Sequence, residues 1–319
     1  MPHLITIDAV RTAARRLEGR VLRTPLRRSD WLSNLTGGDV FLKLETLQPT
    51  YSFKIRGALN AVLALVEQQH ERPRLVTASA GNHGQALAYA AGMAGLQLTV
   101  YVPETAPRAK KDSIRRMGAE LIGCADYDEA ELRAKQHAAT GSASFISPYW
   151  HADVIAGAGT IGLEIAEQDP AIDTVVAPVG GGGLVSGIAI AIKGSGHGAA
   201  IVGVEVEASC PFHQGLAAGR IVHINVGRTL ADGLSGNLDP DTVTFDIVRT
   251  MVDRMTLVTE DHLRDAILGV LREERLVAEA AGATGVAALL RDQRQIQGRR
   301  TAVVLSGANI DSEVLASLI

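Results

Sequence analysis

Short runs of apolar, β-branched residues recur along the chain and limit its fold more than any other feature. The runs are continuous rather than alternating, and they lie at 74–77, 98–102, 174–177, 201–204 and 302–305. A continuous apolar run is typical of a strand that is covered on both faces, as strands in parallel sheets are. The pattern therefore favours parallel strands buried between helices.

Alanine-rich stretches with helical character separate these runs, at 84–94, 106–117, 128–139, 160–168 and 261–272. Repetition of strand, glycine-rich turn and helix predicts an α/β fold with right-handed crossovers. Three strand–helix units fall between residue 77 and about residue 145, enough for a compact inserted unit. We therefore expect a small inserted domain at 76–145 and a large domain at 1–75 plus 146–319.

Composition excludes several functions. The 319 residues are 46% hydrophobic and 21% charged, as in globular proteins, and the formal net charge of -4 provides no basic surface for nucleic acid or an anionic membrane. No stretch has the roughly 18 apolar residues of a membrane span, and the first residues do not resemble a signal peptide. Cys124 and Cys210 lack metal-ligand spacing and fit a reducing compartment, so we expect a cytoplasmic protein.

Four successive glycines, Gly180, Gly181, Gly182 and Gly183, follow one predicted strand and precede a helical run at 185–193. Backbone N–H groups at such a helix start can converge on an anion, where the helix dipole also favours negative charge. The spacing fits neither the dinucleotide fingerprint nor the P-loop. A small cofactor with one phosphate and a simple tight turn both remain open for this segment alone.

Two further segments could carry chemistry. Lys54 lies between Phe53 and Ile55 near the start of a helical run, where loss of solvation would lower its pKa and free the amine for imine formation. The polar loop at 77–85 follows a strand and could offer hydroxyl, amide and backbone donors to a carboxylate. Each segment also has a plainer interpretation, a surface lysine in the first case and a helix cap in the second.

Taken together, the segments resemble a known family. Six motifs occur in the order found in threonine dehydratases and serine racemases: the lysine segment at 49–58, Ser-Ala-Gly-Asn-His at 79–83, the tetraglycine, Ala-Asp-Gly at 231–233, Glu-Ala-Ala-Gly-Ala at 279–283 and Ser-Gly-Ala-Asn-Ile-Asp at 306–311. The sequence thus resembles fold-type II pyridoxal-phosphate enzymes from about residue 20 to the C-terminus. That resemblance implies two open, mostly parallel twisted sheets flanked by helices, as in the tryptophan synthase beta chain, and a homodimer.

The resemblance also implies roles for individual residues. Lys54 would form the Schiff base with pyridoxal 5'-phosphate, with Phe53 packed on the cofactor ring. The tetraglycine Gly180 to Gly183 would bind the phosphate, Asn82 the phenolic oxygen and Ser306 the pyridine nitrogen. The substrate's α-carboxylate would be bound by the loop residues Ser79, Gly81, Asn82 and His83.

Several positions depart from the family pattern. Ala80 stands where racemases of the family carry a second serine, which favours dehydration over racemisation. A divalent-cation site of some relatives uses a glutamate, matched by Glu205, and then an aspartate, where Pro211 falls; whether a metal binds is therefore unknown. Tyr51 replaces a small residue and could change the substrate pocket, and Ala308 replaces a glycine and could alter its loop.

The expected activity is dehydration of a 3-hydroxy amino acid, by default L-threonine or L-serine, to a 2-oxo acid and ammonia. Related dehydratases act on phenylserine, hydroxyaspartate or intermediates of hydroxyectoine breakdown, and the motifs leave these substrates open. Serine racemase is another alternative, which would form D-serine faster than pyruvate. The alternative outside enzymes is an amino-acid-sensing binding protein, although such a protein needs no lysine for imine chemistry.

Overall fold

The computed structural model describes residues 5–68, 72–106 and 108–319, and it confirms the α/β class. Two sheets form its framework, one of six strands and one of four. Every strand pairing is parallel except that of the first strand with the second. The continuous apolar runs predicted this arrangement because helices cover both faces of each sheet.

The six-stranded sheet has the order β1-β2-β10-β7-β8-β9. Its strands are β1 (Leu26–Arg28), β2 (Asp39–Leu44), β7 (Thr174–Pro178), β8 (Ala200–Val206), β9 (Arg254–Val258) and β10 (Arg300–Leu305). The four-stranded sheet has the order β5-β4-β3-β6. Its strands are β3 (Leu75–Ala78), β4 (Leu98–Pro103), β5 (Glu120–Cys124) and β6 (Ser144–Phe145). The three strand–helix units expected after residue 77 therefore build one small sheet.

Thirteen helices surround the sheets in the described part of the chain. In the first half of the chain they are α1 (Ile7–Leu17), α2 (Asp30–Thr36), α3 (Lys54–Gln68), α4 (Asn82–Ala94), α5 (Arg108–Arg116), α6 (Tyr127–Ala139) and α7 (Ala152–Gln168). The others are α8 (Gly183–Gly194), α9 (Pro211–Ala218), α10 (Thr244–Met251), α11 (Glu260–Glu274), α12 (Ala280–Arg291) and α13 (Ser312–Leu318).

Helix α7 begins eight residues before the predicted start at 160, because its glycines are packing residues and not helix breakers. A Cβ on Gly157 would lie 2.5 Å from the carbonyl oxygen of Arg56, and one on Gly159 would lie 2.8 Å from that of Gly187. These contacts bring α7 against α3 on one side and α8 on the other. Glycine lowers helix propensity, but here it allows close helix packing.

Small aliphatic residues fill the core on both faces of the large sheet. Val303 and Leu263 belong to the cluster beneath α11 and α12, and Ile188 and Val175 belong to the cluster beneath α8. All four are fully buried or nearly so. Each such side chain contributes about 1.5–3 kcal/mol relative to exposure, so a core with few aromatic residues can still hold the fold.

A buried ionic cluster joins α3, α7 and the segment that follows β2. Arg56 donates to both carboxylate oxygens of Glu45 at 2.8 Å and to Glu164 at 2.6 and 3.0 Å. Lys43 donates to Glu164 at 2.6 Å and to the carbonyl oxygen of Thr24 at 2.7 Å. Removing one member of a buried ion pair costs about 3–5 kcal/mol, because the other charge is left without a partner. The cluster therefore fixes the first turn of α3.

No helix among residues 5–68, 72–106 and 108–319 is long and apolar enough to span a membrane. Both cysteines are free and buried. Ala308 does not have a positive φ, so the methyl group that replaces glycine there requires no unusual backbone angle.

Tyr51 does not line the active-site cavity described below, contrary to the expectation that it could change the pocket. Its side chain is 61% exposed, and its φ of 56° lies in the left-handed region. The residue closes a tight turn, in which its N–H donates to Gln48 and its carbonyl oxygen accepts from Ala308. This backbone conformation points the ring towards solvent.

We expect Tyr51→Gly to raise the free energy of unfolding by about 1 kcal/mol, because glycine adopts left-handed φ without the steric cost of a Cβ. Tyr51→Ala removes the same ring but keeps the Cβ, and it should give no gain. Thermal unfolding of the three proteins at one cofactor concentration measures the difference. Equal stabilisation by glycine and alanine would show that the ring, and not the backbone, carries the strain.

Candidate active site

The carboxyl ends of strands from both sheets face a common cavity of about 1180 Å³. Residues that follow β3, β7 and β10 line it, together with the first residues of α3 and α4. In open α/β sheets the carboxyl edge of the strands is the usual position of a ligand. Lys54, Asn82, the tetraglycine and Ser306 all lie in this cavity although they are far apart in sequence.

The tetraglycine connects β7 to α8 and opens the helix towards the cavity. Gly182 has a φ of 83°, and a Cβ on Gly181 would lie 2.2 Å from the ring of Tyr149. Larger residues are therefore excluded by backbone angle at one position and by packing at the other. The first N–H groups of α8 have no intrahelical acceptor, which makes this helix start an anion site.

Lys54 is the first residue of α3 and is held inside the cavity. Its Nζ donates to the carbonyl oxygen of Pro148 at 2.8 Å and lies 5.2 Å from the centre of the Phe53 ring. Burial lowers the pKa of Lys54 to about 8, although the nearby Glu279 carboxylate acts in the opposite direction. About a tenth of the lysine is therefore a neutral amine at pH 7, far more than for an exposed lysine, and the neutral form is the one that nucleophilic and base chemistry require.

Ser306 follows β10 and is tied directly to the lysine segment. Its carbonyl oxygen accepts a hydrogen bond from the N–H of Phe53 at 3.0 Å, and its side chain is almost fully buried at the cavity surface. Phe53 is partly buried against the core under α8 and also lines the cavity. Core packing and contact with a bound ring are therefore compatible for this residue.

Asn82 begins α4, and its side chain is fixed by two neighbours. Its amide nitrogen donates to Glu279 at 2.5 Å, and its amide oxygen accepts from Asn309 at 2.7 Å. A primary amide has two N–H donors, so one remains for a ligand. Burial raises the pKa of Glu279 to about 7.

The loop before α4 contains the residues predicted to bind a carboxylate. Ser79, Gly81 and His83 all line the cavity, and α4 begins with N–H groups that have no intrahelical acceptor. His83 is a buried residue, since it is 2% exposed and its Nε2 lies 3.1 Å from the carbonyl oxygen of Ile146. Burial, and then the charge of Lys54, lowers its pKa to about 3, so the ring is neutral.

Two ion pairs join opposite rims of the cavity. Lys110 on α5 pairs with Asp232, and Lys135 on α6 pairs with Asp239. Both lysines belong to the segment that builds the small sheet, whereas both carboxylates belong to the long connection between α9 and α10. The pairs therefore hold the small sheet against that connection.

Sequence reasoning missed several residues that line the cavity. Glu279 is the first residue of the Glu-Ala-Ala-Gly-Ala motif at 279–283, but no role was assigned to it from the sequence. A carboxylate directly before a very apolar helix was a usable signal of a functional residue. Tyr149 gave no signal, because only the folded structure brings its ring against Gly181. The same is true of Lys135 and Asp239, which are 104 residues apart in sequence.

Glu205, the residue matched to a cation ligand of some relatives, is occupied by a helix start. Its two oxygens accept the N–H groups of Phe212 and His213 at 2.9 and 2.8 Å. Its side chain is fully buried, and burial raises its pKa to about 7. Pro211 offers no side-chain oxygen, and the described residues contain no group of three or more His, Cys, Asp or Glu suited to a metal. These residues do not fit a hard cation.

Comparison with known proteins agrees with this geometry. Residues 17–307 match the family model described as pyridoxal-phosphate dependent enzyme. The chain belongs to this family. It is 42% identical to the L-threonine ammonia-lyase of Thermotoga maritima over 317 residues, covering 99% of this chain and 78% of the relative.

Two solved structures have the same fold. Maize serine racemase matches with a TM-score of 0.91 at 33% identity, covering 98% of this chain and 96% of the other. The processed form of threonine deaminase isoform 2 from Solanum lycopersicum matches with a TM-score of 0.88 at 30% identity, covering 98% and 92%. The chain is thus a fold-type II enzyme that depends on pyridoxal phosphate.

The donors in the cavity suit this cofactor. Helix-start N–H groups suit a phosphate, a hydroxyl suits a pyridine nitrogen, and a partly neutral amine suits an aldehyde. Gly182, Ser306 and Lys54 supply these three kinds of group within one cavity.

The lowered pKa of Lys54 gives a test on the cofactor-free protein. We expect its labelling by an amine-reactive reagent, followed by peptide mass spectrometry, to rise with pH through a midpoint near 8, because only the neutral amine reacts. Glu279→Gln removes a carboxylate that favours the ammonium form, so the midpoint should move to lower pH. A midpoint that is unchanged or raised in this variant would show that Glu279 does not act on the lysine.

The geometry at Glu205 predicts indifference to divalent cations. Mg²⁺ or Ca²⁺ added to holoenzyme dialysed against EDTA should change the melting temperature by less than about 1 °C, since a ligand stabilises only a protein that binds it. A rise that saturates with cation concentration and is lost in Glu205→Gln would mean that Glu205 releases the start of α9 to bind the ion.

Proposed function

We propose that the protein is an ammonia-lyase that converts a 3-hydroxy amino acid, by default L-threonine or L-serine, to a 2-oxo acid and ammonia. The observation that carries the proposal is the presence of Lys54, with its lowered pKa, in one cavity with the tetraglycine and Ser306. The printed names of the L-threonine ammonia-lyase and the threonine deaminase support the choice of reaction.

We assign the cofactor contacts as follows. Lys54 would hold the aldehyde carbon, Phe53 would pack on the ring, Asn82 would donate to the phenolic oxygen and Ser306 would face the pyridine nitrogen. Gly180, Gly181, Gly182 and Gly183 would hold the phosphate. Pyridoxal phosphate, when bound, withdraws electrons from the substrate's Cα and so makes its proton acidic.

The remaining roles belong to the chain itself. Ser79, Gly81, Asn82 and His83 would orient the substrate's α-carboxylate at the start of α4, where Asn82 and His83 contribute backbone N–H groups that favour an anion. The Lys54 amine accepts the proton from Cα, and the lowered pKa of Lys54 suits it to this role as a base. Ser306 is a neutral hydroxyl and would hold a proton on the ring nitrogen less firmly than a carboxylate would. This arrangement would favour prompt loss of the β-hydroxyl over side reactions at Cα.

The racemase alternative receives less support. Ala80 lines the cavity directly before Gly81, and its methyl group cannot donate or accept a proton. Lys54 alone can serve only one face of Cα, which is sufficient for elimination. We therefore propose lyase chemistry for this chain, although a serine racemase is among its structural relatives.

We also propose a homodimer in the cytoplasm, by similarity to the family. The free, buried state of Cys124 and Cys210 supports a reducing compartment. Finally, we propose that residues 76–145 form a small domain inserted into a large domain of 1–75 plus 146–319. The separate four-stranded sheet supports this division.

The test of the function is Lys54→Ala, with Lys193→Ala as the matched control, since Lys193 pairs with Asp253 at the surface. We expect Lys54→Ala to lose the violet absorbance of the bound cofactor and to lower kcat for 2-oxo acid formation by about 10²–10⁴-fold, the usual contribution of a positioned base. The control should keep both. If ammonia release and absorbance persist without Lys54, the assignment is wrong.

A further inference from the structure

The cavity extends beyond the residues assigned above, along one face of α6. Tyr127, Glu131 and Lys135 are spaced four residues apart on this helix and all line the cavity. Residues four apart share a helix face. With Asp128, also at the cavity, and Asp239 from the opposite rim, they form a polar surface. We call the set of Asp128, Glu131, Lys135 and Asp239 the acidic wall.

Direct contacts hold the acidic wall in place. The Nζ of Lys135 lies 3.0 Å from Oε1 of Glu131 and also pairs with Asp239. The N–H of Asp239 donates to the Tyr149 hydroxyl at 2.9 Å, and the Tyr149 ring packs on Gly181. The side chains of Glu131 and Asp239 are only 20% and 4% exposed. These two carboxylates are therefore parts of a built surface and not mobile surface groups.

The charges of the acidic wall do not balance. It contains three carboxylates and one ammonium, and Lys135 is shared between two of the carboxylates. Burial raises the pKa of Glu131, and the neighbouring Asp239 carboxylate acts in the same direction while Lys135 opposes them. An additional cation placed beside Glu131 would relieve this deficit, whereas an additional carboxylate would increase it.

The acidic wall is also placed where a substrate side chain could reach it. Tyr127, one turn before Glu131, donates its hydroxyl to the carbonyl oxygen of Ala78 at 3.5 Å, next to the loop assigned to the substrate's carboxylate. At its other end the wall adjoins Tyr149 and the tetraglycine. A substrate whose carboxylate lies on the loop would thus extend a long side chain along α6.

We propose that the acidic wall selects 3-hydroxy α-amino acids whose side chain ends in an ammonium group, with Glu131 as the specificity-determining residue. The proposal rests on the lyase function and refines its substrate class. The side chain of threonine ends in an uncharged methyl group, so threonine is accepted without an ionic contact to the acidic wall. An acidic side chain, as in hydroxyglutamate, is disfavoured.

Three substrates with the same number of carbon atoms separate the effect of side-chain charge from that of side-chain length. They are 3-hydroxyornithine, 3-hydroxynorvaline and 3-hydroxyglutamate, with an ammonium, a methyl and a carboxylate end. We expect kcat/KM for hydroxyornithine to exceed that for hydroxynorvaline by about tenfold, as one charge-assisted hydrogen bond supplies. Hydroxyglutamate should be the poorest. The difference should appear in KM, because a distal contact is made equally in the ground and transition states.

Glu131→Gln should reduce the preference for hydroxyornithine over hydroxynorvaline about tenfold, because the amide carries no charge to attract the ammonium group. Glu273→Gln, an exposed glutamate on α11 that does not line the cavity, is the matched control and should leave the ratio as it is. Ornithine and norvaline carry the same side-chain ends but lack the β-hydroxyl that is lost in the reaction. Calorimetric binding of these two compounds to the holoenzyme therefore measures the same ratio without elimination.

The outcomes separate the two claims. A preference for the ammonium substrate that is lost in Glu131→Gln supports the acidic wall. Equal affinity for hydroxyornithine and hydroxynorvaline, or a preference that survives Glu131→Gln, overturns it even if threonine is turned over. Absence of 2-oxo acid from every substrate overturns the lyase function, and the calorimetric ratio still decides the wall.

Discussion

The ion pairs of Arg56 with Glu45 and Glu164 are the interaction on which the active site depends most. Arg56 lies two residues after Lys54, and both of its partners are buried or nearly so. Glu45 follows the end of β2 and Glu164 lies in α7, so the start of α3 is fixed to the large sheet and to its helical layer. Lys54 is the first residue of that helix, so these ion pairs also fix its position in the cavity.

A second constraint is the parallel order of both sheets. Parallel strands place their carboxyl ends at one edge, so β3, β7 and β10 deliver their following residues to the same cavity although they lie far apart in sequence. The hydrogen bond from Phe53 to Ser306 then joins the lysine segment to the large sheet. The rigid framework thus positions the site before any ligand binds, as efficient catalysis requires.

Much of the fold could be predicted because the local signals agree with the final structure. Continuous apolar runs correctly indicated β3, β4, β7, β8 and β10, and the tetraglycine indicated the start of α8. The start of α7 was missed because glycine weakens a helix locally, whereas here Gly157 and Gly159 allow α3 and α8 to approach closely. This close packing forms only when the helices come together, so the local sequence alone does not predict the start of α7.

The candidate site, like the fold, could be predicted from the sequence only in part. Lys54, the tetraglycine, Asn82 and Ser306 lie in recognisable motifs, and the structure brings them together in one cavity. Tyr149 and Asp239 gave no signal, because their importance comes from contacts made across long stretches of chain. Tyr51 shows the reverse, since its departure from the family pattern drew attention to the pocket while its backbone directs the ring to solvent.

The ion pairs Lys110–Asp232 and Lys135–Asp239 connect the two rims of the cavity. Partly exposed charges attract each other less strongly as dissolved ions accumulate around them. The strength of these contacts between the rims is therefore coupled to the ionic strength of the surrounding medium. A rise in salt concentration would thus loosen the contact between the two rims and ease the entry of small molecules.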